Sequence, residues 1–133
     1  MDHHAALIHA MVLVSAADRN MTDAEIEIIS AIVGHLPVFR DYDRSQLMPT
    51  LGAVAETLTH ENGLEEAFAA IEKALPKKLR DTAYALACDV VAADGEASQE
   101  ELQVLEAIRH RLRIDRLAAA AIERGTRARF ARI

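Results

Sequence analysis

The chain has 133 residues, half of them hydrophobic, with 15 Lys and Arg against 21 Asp and Glu, a formal charge of −6. That length predicts a single domain over residues 1–133, able to bury a core without disulfides or a structural metal. A net negative chain is a poor ligand for a phosphate backbone, so nucleic acid is excluded as the main partner. The lone cysteine, Cys88, forms no internal disulfide and lies among Ala85, Leu86 and Ala87 as a small core residue. The N-terminus lacks a basic n-region and an apolar h-region, and no run of about 18 apolar residues occurs, which predicts a cytoplasmic protein without an integral membrane segment.

In chain order, Leu7, Ile8, Met11, Val12, Leu13 and Val14 predict a helix that stops at the polar cluster Ser15–Asn20. Thr22 followed by Glu25 is a capping box, and Ile26, Ile29, Ile32, Val33 and Leu36 carry the next helix to Pro37. The middle predicts a short helix over 40–48, another over 50–60 and a third over 63–75, bounded by Asn62-Gly63 and Pro76. Pro49 belongs in a first helical turn or kinks a longer helix. A long amphipathic stretch over 77–93 closes at Asp94-Gly95. Ser98 and Glu101 form a second capping box ahead of Leu102, Leu105, Ile108 and Leu112, and residues 114–130 predict a last helix.

An offset of 76 residues places Ala16-Ala17-Asp18 on Ala92-Ala93-Asp94, Thr22 on Ser98, Glu25 on Glu101 and Ile32 on Ile108. This internal repeat predicts an all-α fold, a compact bundle of about seven helices with pseudo-two-fold related helix pairs.

The repeated acids have two readings. A carboxylate at a helix C-terminus is opposed by the macrodipole, by about 0.3–1 kcal/mol, unless it caps the next helix or binds a cation. Asp18 and Asp94 are therefore turn acceptors, with Glu25 and Glu101 as cap partners; or Asp18, Glu25, Asp94, Glu96 and Glu101 are hard oxygen ligands for a divalent metal ion. Residues 94–102 have the Gly and Glu spacing of the second half of an EF-hand loop. Val90 and Ala92 stand where its first two side-chain ligands belong, which excludes a true EF-hand. No Walker A, GxGxxG, HExxH or Cys/His zinc spacing occurs. His3, His4 and His9 read as a solvated N-terminal tail, with a metal-binding end as the alternative, and His35, His60 and His110 as residues near helix ends. The last quarter is basic, with eight arginines from Arg109 to Arg132, either as solvated helix faces or as a docking surface.

The signatures Ala16-Ala17-Asp18 to Glu25 and Ala92-Ala93-Asp94-Gly95-Glu96 to Glu101 resemble the tellurite-resistance TerB family and the related domain of the membrane-anchored co-chaperone DjlA. In that family an A-x-ADG-x-x-(S/T)-x-x-E turn lies near each end of a helical domain, and Arg127-Ala128-Arg129-Phe130 is also similar. Here Arg19-Asn20 replaces the Gly of the first turn. The resemblance implies acidic residues lining a metal-binding surface, in a stress-response or tellurite-resistance apparatus near the inner membrane. The expected function is a non-enzymatic accessory protein that binds a divalent cation or protein partners, without nucleic acid, in a peripheral membrane complex. The alternatives are a metal-dependent hydrolase using paired carboxylates, or a structural homodimer packed through its middle helices.

Overall fold

The computed structural model describes every residue except 18–20 and 94. Among the described residues it is all-helical: α1 (His3–Ser15), α2 (Asp23–His35), α3 (Leu47–Thr57), α4 (Gly63–Ala74), α5 (Arg80–Ala92), α6 (Gln99–Arg111) and α7 (Arg116–Arg129). Short 3-10 turns occupy Pro37–Phe39, Arg44–Gln46 and Lys77–Leu79. None of these helices is long and apolar enough to cross a membrane.

The centre is α1. Every residue from Ala6 through Ser15 is buried, because α3, α4, α5 and α6 all pack around it. A helix apolar on all sides belongs inside a bundle rather than on its surface. Burying Leu7, Ile8, Met11 and Leu13 stabilises the fold by about 1.5–3 kcal/mol each. The solvated-tail reading of the histidines is corrected here. His3 begins α1 behind its Asp2 cap, whose carboxylate accepts from the Ala5 N–H at 2.9 Å. His4 reaches the Val38 carbonyl at 2.8 Å and stacks on Phe39, and His9 is buried.

The repeat is visible in the packing, since α1 lies along α5, α2 also meets α5, and α6 meets α1. Both capping boxes form as expected. The segment 40–48 departs from expectation: it yields only the 3-10 turn Arg44–Gln46, and α3 starts at Leu47 with Pro49 in its first turn, where its missing N–H costs nothing. Leu102 also departs: it is 45 % exposed, on the solvent side of the apolar face expected for α6.

Two joints set the ends of α4 and α6. A Cβ at Gly63 would lie 2.1 Å from the Thr57 carbonyl oxygen, so glycine permits α4 to start against the end of α3. The α6 terminus is a Schellman motif: Ile114 N–H donates to the Arg109 carbonyl, Arg113 N–H to that of His110, and Arg113 adopts φ +54°.

Candidate functional site: two capped acidic turns

Each repeat presents a helix end, a turn and a capped helix. In the first, Thr22 is the N-cap of α2 and its Oγ1 accepts from the Glu25 N–H at 3.1 Å. Glu25 Oε1 accepts in return from the Thr22 N–H at 2.8 Å and the Thr22 hydroxyl at 3.1 Å. In the second, Ser98 Oγ accepts from the Glu101 N–H at 3.0 Å and Glu101 Oε1 from the Ser98 N–H at 2.9 Å. Each glutamate thereby satisfies orphan donors and places its charge at the positive end of its helix.

The burial of these acids is unusual for cap residues. Glu25 is 1 % exposed and Glu101 3 %, a degree of enclosure that carboxylates seldom have without a partner for each oxygen. Glu25 Oε1 is fully engaged, whereas Glu25 Oε2 is buried with no hydrogen-bond partner among the described residues. Ser15 Oγ, at the end of α1 just before the same turn, is likewise buried with no partner among the described residues. Leaving such an atom unsatisfied costs about 1–3 kcal/mol, more when it is charged.

Of the five acids read from the sequence as candidate ligands, Asp18 and Asp94 lie outside the described residues. Glu25 and Glu101 each sit inside their own capping box, and Glu96 is exposed in the second turn. Among the described residues no three His, Cys, Asp or Glu side chains are grouped to hold a metal ion.

Beside each turn runs a groove. One of about 680 Å³ lies between α5, α6 and α7, over Cys88, Val91, Ala92, Gly95, Leu105 and Phe130. The other, of about 830 Å³, borders the first turn at Leu13, Ala16 and Ala17, and is closed by Leu58, Leu64 and Val104. Both begin at the small residues that end the first helix of each repeat.

The α5–α7 contact contains polar pairs with no local sequence signal, because the partners are about forty positions apart. Tyr84 donates to Glu123 Oε2 at 2.5 Å, and Arg129 donates to Asp89. Burial and the Glu123 carboxylate push the Tyr84 hydroxyl's pKa well up. Burial likewise pushes the Cys88 thiol up to about 12, so it stays protonated and unreactive, as a core residue should.

The sequence profile described as "Tellurite resistance protein TerB" matches residues 4–124, a span that holds both capped turns. The chain belongs to the TerB family. No curated protein and no solved structure matches it. TerB is not a known enzyme family, and the span from 4 to 124 takes in both turns and both capping boxes.

Proposed function

We propose that this TerB-family chain is a non-enzymatic accessory protein of the cytoplasm that binds a divalent cation at its acidic turns and passes that state to protein partners in a tellurite or other stress response. The observation that carries the reading is Glu25 Oε2, a buried carboxylate oxygen whose twin is saturated by the cap and which itself has no partner among the described residues. A hard cation supplies what such an oxygen lacks, a compact positive charge that offsets the cost of burying it. Asp18 precedes the first turn's capped helix as Asp94 and Glu96 precede the second, so the chain supplies Asp18, Glu25, Asp94, Glu96 and Glu101 as oxygen donors.

Titration calorimetry of the metal-stripped chain with calcium, magnesium, manganese and zinc tests this. Glu25→Gln retains the Oε1 acceptor of the capping box and removes the charge. Saturable binding by the parent chain that is lost in the folded Glu25→Gln variant supports the reading. A parent chain that binds none of the four ions overturns it and leaves the acids as helix caps.

A further inference from the structure

The exposed face of α7 is strongly basic, with Arg127 and Arg129 in the last turn, where the macrodipole favours a cation. Arg116, Arg127, Arg124 and Leu117 fall within about 100° of arc at 3.6 residues per turn, and the other exposed positions of α7 are alanines and Arg129. Arg116 stands in the first helical turn, where the macrodipole opposes a cation, and Arg124 and Arg127 are like charges three residues apart. None of Arg116, Arg124 and Arg127 joins an ion pair among the described residues, although the chain carries six more acids than bases. Leu117, in their midst, is 78 % exposed. The only acid within α7, Glu123, faces inward to Tyr84.

The opposite composition occurs at the corner between α3 and α4. From Ser45 to Glu72 there are five glutamates and no Lys or Arg. Glu56, Glu61 and Glu66 are exposed there; Glu61 lies beside Leu64, itself 44 % exposed, and Glu66 meets His60 Nδ1 at 3.1 Å. This corner already receives one arginine: Arg111 of α6 makes a two-point contact with Glu65 at 2.7 and 3.0 Å, donates to Glu72, and lies 5.2 Å over the Phe68 ring. Glu56 and Glu61 join no ion pair among the described residues, and Glu66 meets only the half-exposed His60. Within one chain the two surfaces are kept apart, because α7 docks on α5 whereas α3 and α4 dock on α1.

We infer that the arginine face of α7 docks on the glutamate-rich α3–α4 corner of a second copy of this chain. Guanidinium groups pair with Glu61 and Glu66, and Leu117 meets the apolar surface around Leu64. Because the two surfaces differ, each copy keeps one of each unused, so association runs head to tail rather than closing about a two-fold axis. Exposed charge pairs are screened by salt, so the assembly is weak and depends on ionic strength.

Sedimentation equilibrium of the full chain over a wide concentration range is the test. At low salt the weight-average mass is expected to climb past twice the 14.6 kDa of one chain, and to fall back when salt is raised about tenfold. Arg124→Gln/Arg127→Gln and Glu61→Gln/Glu66→Gln, all at exposed positions and checked by circular dichroism, are each expected to remain single chains. An equimolar mixture of the two should stop at pairs, since it holds one intact surface of each kind. A parent chain that stays at 14.6 kDa in low salt overturns the inference. So does a dimer that survives high salt, or association that either variant retains.

Discussion

The guanidinium of Arg132 lies directly against Gly95, such that a Cβ there would come within 2.7 Å of its Nη2 atom. Gly95 has φ +82°, in the left-handed region that other residues rarely adopt. The second turn therefore requires glycine for its backbone, while the far end of the exposed Arg132 side chain can move aside. The chain of contacts that carries Arg132 there includes the Arg129–Asp89 pair, which ties the last turn of α7 to α5.

Gly95→Ala is accordingly expected to lower stability by about 1–2 kcal/mol from the backbone conformation, with little added by moving the Arg132 side chain aside. Urea denaturation reads the sum. The same substitution made beside Arg132→Ala should lose the same amount; a smaller loss there would show that displacing Arg132 carries a cost of its own.

The reverse substitution applies at the end of α6. Arg113 holds the left-handed position of the Schellman motif without being glycine. Arg113→Gly should raise stability by about 0.5–1 kcal/mol by removing the Cβ strain, after allowing for the greater freedom glycine has when unfolded. A drop in the denaturation midpoint would mean that the Arg113 side chain stabilises the fold by more than its backbone costs.

His9 governs a pH dependence of known sign. Desolvation in the core lowers its pKa, against the opposing hydrogen bond from its Nδ1 to the Ala5 carbonyl at 2.7 Å. The folded chain then binds fewer protons than the unfolded one just below the unfolded value of about 6.5. Its contribution is complete above that value and is lost as pH falls toward the folded pKa. Stability measured from about pH 7.5 down to about pH 5 should decline, and His9→Gln should flatten the decline. Asp2, whose carboxylate is held below its ordinary value chiefly by the Ala5 N–H, titrates in a lower window and does not confuse the two.

Cys88 reports on opening of the α5–α7 contact. Its thiol is buried and its pKa is pushed up to about 12. A thiol reagent at neutral pH should therefore label the native chain only as fast as the structure opens, and the unfolded chain at once. Tyr84→Phe, which deletes the hydroxyl bonded to Glu123, should speed native labelling; immediate labelling of the parent chain would contradict the buried placement.

What could be read along the chain was whatever depends on neighbours three or four residues apart. Thr22–Glu25 and Ser98–Glu101 close through bonds within a single turn, so both capping boxes, both helix starts and the repeat were legible without a fold. Pro37 and Asn62-Gly63 likewise punctuate locally. The rest needed the bundle. Periodicity could not tell that α1 is enclosed on every side, because an apolar run from Leu7 to Val14, interrupted only by His9, has no preferred face until other helices surround it. Leu102 satisfies the helical period yet faces solvent, since packing against α1 and α5 sets how far round α6 the covered face extends.

The candidate site divides in the same way. Sequence spacing marked Glu25 and Glu101, but only burial distinguished the two oxygens of Glu25, one saturated by its own cap and one enclosed without a partner among the described residues. The contacts Arg111–Glu65, Tyr84–Glu123 and Arg132–Gly95 join residues from 37 to 46 positions apart. Nothing local encodes such pairs. They exist because helix packing fixes which faces meet, and the hydrophobic effect that drives packing is non-directional, so the partners follow from the assembled shape rather than from any residue's neighbours.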